Sequence, residues 1–307
     1  MPTTLTEYAK LSNDALAAGV IETIIRESPL LQYLPWIEIV GNALTYNREL
    51  TLPTAEWHAA NDDWTTSPAV TFSQLTATLK ILGQNADVDA YVRQTRSNVQ
   101  DIEAAIVQLT AKAIRNELED KFIYGNDATD ANQFDGLREL IDTDAASGQV
   151  IAAGATGATL TLAMLDQLID AIKGGKPDIL LMSRRSRRKI NALSRAAGSN
   201  LEVGTGRLGE FVQLYNGIPI AVSDFILDTH AVSSSLETAI TGGTSSTIYA
   251  LQFGEGAVCG LTSPGGLQVE PIGAMETKDA TRTRIKWYVS LADFSQVKRA
   301  ALIGVQD

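Results

Sequence analysis

The sequence holds one cysteine, Cys259, and two histidines, His58 and His230. A lone cysteine closes no internal disulfide, which excludes a disulfide framework and a multi-cysteine zinc site. Two histidines leave little for a histidine-rich metal site. No stretch approaches the roughly 18–20 continuous apolar residues of a membrane span. The start, Met1 to Lys10, lacks the basic opening and apolar run of a signal peptide, so the chain reads as soluble and made in a reducing cytoplasm. Basic residues are also in deficit: 25 Lys+Arg against 36 Asp+Glu give −11. That argues against a surface given over to polyanions, because phosphate contacts draw on Lys and Arg. It leaves room for a local basic patch.

What is present is a 45% hydrophobic chain of 307 residues, enough for a sizeable core and about two domains. Ser12 to Arg26 has helical spacing and stops at Glu27-Ser28-Pro29, since the residue before proline avoids the helical region. Leu30 to Trp36 is apolar but irregular, like an arm lying on another surface. Strands are expected from Ile37 to Val40 and Ala43 to Thr51 around a Gly41-Asn42 turn, and from Thr71 to Leu82. Between the last two runs a long polar loop carries Trp57 and Trp64, which suggests that another chain covers it. Val99 to Tyr124 predicts a helix of roughly 40 Å. Its expected buried stripe is Ile102, Ala105, Ile106, Leu109, Ala113, Leu118 and Phe122, with Glu119 on the polar side and Gly125 as the stop.

Further on, Ala145 to Ala158 reads as a Gly/Ala/Thr-rich connector. It leads to a helix over Thr161–Ile172, a buried strand over Asp178–Met182, and a second helix from a Ser183 cap to Ala197. Asn216-Gly217 between two apolar runs is a strong hairpin signal. Later strands are expected at Thr247–Phe253, Leu267–Glu270, Arg282–Ser290 and Arg299–Gly304, with Asp228 to Ser246 loop-like. The fold class is α+β.

Chemistry is sparse. Gly148 to Thr159 superficially resembles a phosphate-binding loop but lacks the Gly-Lys-Ser/Thr ending that holds phosphate and Mg²⁺; a flexible connector is the better reading. His58 with Asp62 and Asp63, and His230 with Asp224 and Asp228, match no familiar ligand or acid–base spacing. Cys259 sits among apolar neighbours, a small hydrophobe. No catalytic, metal or cofactor site is assigned. The basic cluster Arg184, Arg185, Arg187, Arg188 and Lys189 has two readings. One is a solvated or salt-bridging helix face; the other is contact with nucleic acid or with an acidic patch of another subunit.

The order of these features resembles the major capsid proteins of tailed bacteriophages with the Hong Kong 97 fold. Its carriers are Ser28-Pro29-Leu30-Leu31, the hairpin with Tyr46-Asn-Arg48 and the Trp57–Trp64 tip, and the helix ending at Tyr124-Gly125-Asn126. Phe134-Asp135-Gly136-Leu137, Tyr215-Asn-Gly-Ile-Pro-Ile220, Phe253-Gly254 and Arg284-Ile-Lys-Trp-Tyr288 follow. The resemblance implies an N-terminal arm (1–36) and an extended β-hairpin loop (37–86). It further implies a peripheral domain with the spine helix (87–137 and 254–294) and an α/β axial domain (138–253 and 295–307).

The same resemblance implies a structural protein and not an enzyme. It would assemble into pentamers and hexamers of an icosahedral head enclosing double-stranded DNA without sequence-specific binding, and without a cofactor. Scaffolding, portal and decoration proteins are further partners. The chain would be made in the host cytoplasm and reside in the virion. An encapsulin-like nanocompartment is the alternative, and a soluble enzyme a distant third. Candidate inter-subunit contacts are Leu30, Leu31, Tyr33, Trp36, Arg48, Trp57, His58, Trp64, Arg184, Arg185, Arg187 and Arg188. Some family members crosslink through a lysine on the extended loop; no lysine lies between Leu50 and Phe72, so noncovalent stabilisation is expected.

Overall fold

In the computed structural model, which describes residues 29–51, 53–64, 69–90, 102–144, 148–198, 202–205, 211–231 and 243–306, the apolar runs settle into two sheets and a ribbon. The predicted 12–26 helix and the first residues of the 99–124 helix lie outside the described residues. In chain order the elements are α1 (Pro29–Tyr33), β1 (Trp36–Glu38), β2 (Ala43–Thr51), β3 (Thr71–Thr78), β4 (Lys80–Asp89), α2 (Ile102–Tyr124) and α3 (Leu137–Asp144). Next come β5 (Val150–Ala152), β6 (Ala158–Thr159), α4 (Leu162–Ala171), β7 (Ile179–Met182), α5 (Arg184–Ala196), β8 (Glu202–Thr205), β9 (Phe211–Tyr215) and β10 (Ile218–Val222). The chain closes with β11 (Ser246–Leu251), β12 (Val258–Thr262), β13 (Gln268–Ala274), β14 (Ala280–Asp293) and β15 (Arg299–Gln306).

The long strand β14 organises a five-stranded sheet. One of its edges is paired along β4, from Ala280↔Asp89 to Val289↔Lys80; the other is shared by β13 and β12. β1 adds to β12 in parallel. This corrects the expected pairing of the 37–40 and 43–51 segments: their turn at Gly41 (φ 116) sends the chain out of the sheet instead of back along it. The 71–82 run is likewise two strands. β3 pairs with β2 as a separate ribbon, and after Leu79 the chain enters β4 of the sheet.

An eight-stranded sheet takes the order β5-β15-β11-β7-β10-β9-β8, with β6 also on β15. β7 is buried at every position, which explains its unbroken apolar sequence. Asn216 and Gly217 both adopt positive φ (52 and 75) and close the β9–β10 hairpin, as expected of a two-residue turn. The expected flexible connector is partly strand, because β5 and β6 pair in parallel with β15.

One core lies against both sheets. Val107, Ala111, Ile114, Leu118 and Phe122 of α2, with Leu137 and Ile141 of α3, meet Leu181, Tyr249 and Ile303 of the larger sheet and Ile285, Val289 and Leu291 of β14. The opposite face of the larger sheet is covered by α4 and α5, through Leu165, Leu168, Ile169 and Ile190. The opposite face of the smaller sheet carries the base of the ribbon: Leu44, Tyr46, Ala77 and Leu79 pack on Ile39, Cys259, Leu261 and Ala292.

The spine helix α2 buries a rotated stripe. Leu109 is 67% exposed and Ala113 is exposed. Thr110 takes an inward place by donating its hydroxyl to Ile106 O (2.8 Å). Glu119, expected on the polar side, is buried and accepts from Ser223 Oγ at 2.8 Å. Gly125 ends the helix for a steric reason: a Cβ there would lie 2.3 Å from Phe134 O and 2.5 Å from Lys121 O. Among the described residues no helix is long and apolar enough to cross a membrane.

Candidate subunit-contact surfaces

The ribbon divides into an anchored base and a bare tip. In the β2–β3 register Leu44 faces Ala77, Tyr46 faces Leu75 and Arg48 faces Ser73. The inward alternation of the base follows from this pairing. Beyond Thr71 the alternation ends, and residues 53–64 carry Trp57 fully exposed and Trp64 at 81%. His58 stacks on Trp64, ring centroids 4.2 Å apart. Val70 and Phe72 (65% exposed) extend the apolar surface. Single exposed apolar residues are ordinary, but two tryptophans with a phenylalanine on one projection make it a candidate contact surface.

Below the tip, a buried hub fixes the ribbon to both sheets. Arg48 donates Nε to Phe294 O (3.1 Å), Nη2 to Asp293 Oδ2 (2.8 Å), and Nη1 to Asp144. Arg299, fully buried, reaches the same Asp293 Oδ2 at 2.7 Å and donates to Asp144 O at 3.2 Å. Gln296 Nε2 donates to Asp144 Oδ1 at 2.6 Å. Two guanidinium groups, from β2 and the start of β15, thus balance two carboxylates, from the end of α3 and the end of β14. Burial pushes the Asp293 carboxyl up, against the pull of Arg299 and Arg48. Burial also lowers the Arg299 guanidinium from its usual value. A cavity of about 280 Å³ opens beside the hub, between the ribbon base, Asp127, Phe134 and Leu291.

Several expected contact residues are engaged within the chain. Arg48 is the hub. Leu30, Leu31 and Tyr33 are buried with α2 and β14, and Trp36 lies against Trp287 (centroids 4.8 Å). Leu30, Leu31, Tyr33 and Leu34 of the expected arm are core, and Gly260 leaves room for the Trp36 ring, which a Cβ there would meet at 2.5 Å. The hub partners Asp144, Asp293 and Arg299 escaped the sequence reading. Their only signal is a charge set within apolar runs, as in Leu291-Ala-Asp293-Phe and Arg299-Ala-Ala-Leu.

The basic cluster lies on α5, which Ser183 caps by accepting from Ser186 N (3.3 Å). Ser186, Ile190 and Ser194 face inward, and Arg184, Arg187, Arg188 and Arg195 are exposed. Arg184 forks onto Asp224, with Nη2–Oδ2 at 2.6 Å. Arg185 is half-buried, 3.5 Å from Asp228 Oδ1.

The other candidate chemistry finds structural employment. His230 is buried; Tyr124 OH lies 3.0 Å from its Nε2 and Thr247 Oγ1 3.2 Å from its Nδ1. Burial, with the nearby Arg138, pushes it down to about 4. Burial also pushes the Cys259 thiol up to about 12, which makes a poor nucleophile. Gly157, at positive φ, packs where a Cβ would meet Gln306 Nε2 at 2.7 Å and Gly304 O at 3.0 Å. Among the described residues no group of three or more His, Cys, Asp or Glu could hold a metal.

Comparison with known proteins agrees with this geometry. The model of the family described as the phage capsid family matches residues 11–251. No curated protein sequence matches. Among solved structures, the SrpI encapsulin complex of Synechococcus elongatus PCC 7942 is similar at TM-score 0.68 and 18% identity, over 90% of this chain and 87% of that one. A chain of Mycobacterium phage Bobi gives 0.63 and 17%, over 91% and 90%. The capsid of Myoviridae phage XM1 gives 0.59 and 16%, over 86% of each chain. At these identities the likenesses speak for the fold, which is that of the Hong Kong 97-type capsid proteins.

Proposed function

This chain belongs to the phage capsid family, as a major capsid protein, and from that premise we propose that it builds the pentamers and hexamers of a closed icosahedral shell around double-stranded DNA. The five-stranded sheet with α2 serves as the peripheral domain. The eight-stranded sheet serves as the axial domain at the capsomer centre. The observation that carries the reading is the ribbon tip, where Trp57 and Trp64 stand in solvent on a ribbon whose base is locked. Leaving two tryptophans bare costs a few kcal/mol of unrealised burial, which a neighbouring copy recovers on assembly. Shells would be held noncovalently, in the virion after synthesis in the host cytoplasm, with scaffolding, portal and decoration proteins as further partners.

The likeness to an encapsulin favours one second reading, a nanocompartment with protein cargo. Electron microscopy of the purified protein, followed by nuclease treatment and extraction, tests both. Closed shells with nuclease-protected double-stranded DNA support the phage head. Closed shells with a stoichiometric protein cargo and no protected DNA support the compartment. Small soluble oligomers alone would refute both.

A further inference from the structure

The chain is acidic overall, yet its charge is segregated at two places. Helix α5 carries Arg184, Arg185, Arg187, Arg188, Lys189 and Arg195 with no acid. Four cations in its first turns oppose the positive end of the helix dipole, so the arrangement is unfavourable for α5 itself. Asp224 pairs with Arg184, and Asp228 lies 3.5 Å from Arg185. At helical spacing Arg184, Arg187, Arg188 and Arg195 form one exposed stripe. The ribbon tip is the counterpart: residues 53–64 hold Glu56, Asp62 and Asp63 with no Lys or Arg, all three acids exposed beside Trp57 and Trp64.

The ribbon covers the smaller sheet, and α5 the larger, on the faces away from α2. We infer that the acidic, tryptophan-bearing tip of one copy docks on the arginine stripe of α5 in a neighbouring copy. Carboxylates meet guanidinium groups there, and indole faces take arginines in cation–π contact. Tryptophan and arginine are the residue types that dominate interface energetics, and the charge match fixes which surface the tip selects. This rests on the shell reading above and names the surface that receives the tip.

Disulfide trapping in assembled particles tests it, since the native Cys259 is fully buried. Asp63→Cys combined with Arg187→Cys should give covalent multimers on non-reducing gels. Asp63→Cys combined with Ile81→Cys, an exposed residue of β4, should stay monomeric. The reverse pattern would overturn the α5 site while leaving the tip as a subunit contact. Particles trapped by neither pair would overturn the α5 site, and a shell-less wild type would overturn the shell reading itself. Charge reversal supplies the second arm. Arg187→Glu/Arg188→Glu and Asp62→Lys/Asp63→Lys should each cut particle yield at least tenfold. The combined variant should recover most of it; no recovery contradicts the pairing.

Discussion

The eight-stranded sheet and the β2–β3 ribbon are built from similar strand-forming residues and end in opposite states. The sheet is covered on both faces, by α2 and α3 on one side and α4 and α5 on the other. Its central strands β7 and β11 are buried throughout. The ribbon has one partner face at its base and none at its tip. The centre of the sheet completes its burial within one chain, while Phe211 and Val203 at its β9–β8 end stay exposed. The ribbon leaves its tip bare within the chain, for another copy to cover on the proposed reading, while Arg48 ties its base to Asp293 and Phe294.

The largest blow to this contrast should come from the hub. Arg299→Ala strands the buried Asp293 carboxylate between fewer donors and should cost about 3–5 kcal/mol in chemical unfolding of unassembled subunits. A loss below about 1 kcal/mol would show that the ribbon is not locked. Next, Ile220→Ala in the doubly covered sheet should cost about 2–5 kcal/mol, whereas Phe72→Ala on the ribbon should stay within about 0.5 kcal/mol. Equal costs would erase the distinction.

Acid sharpens the picture at the junction of α2 with the larger sheet. His230 titrates near 4 when folded, against an ordinary 6.5. Between these values the unfolded chain takes the proton first. The contribution of the neutral ring is therefore complete above pH 6.5 and drains away as pH falls towards 4. His230→Gln should flatten that part of the stability–pH curve, measured by urea unfolding; identical slopes would remove His230 from the account. The smallest effect concerns Cys259 beneath the ribbon base, which should resist iodoacetamide in the folded subunit and react in urea. Rapid labelling without denaturant would mean that the base opens.

Features with local causes were legible in the sequence. The Asn216-Gly217 turn, the Ser183 cap and the apolar run of β7 each determine their own geometry, and the order of elements carried the family resemblance. Trp57 and Trp64 were legible as exposed because their loop offers no apolar residues to bury them. Features that depend on distant segments were not. β1 joins β12, whose residues lie far along the chain. Arg48 meets Asp144, Asp293 and Arg299 from three separate elements, and nothing near Arg48 announces them. The stripe of α2 was misjudged because apolarity alone cannot show that Leu109 faces out while Thr110, satisfied by Ile106 O, faces in.

The deferred burial of the tip is tested most directly by sedimentation and electron microscopy of Trp57→Ala/Trp64→Ala beside the wild type. The wild type should form closed shells. The double variant should remain as folded subunits or small oligomers with unchanged unfolding, because neither indole is buried within the chain. Closed shells from the double variant at wild-type yield would contradict the account.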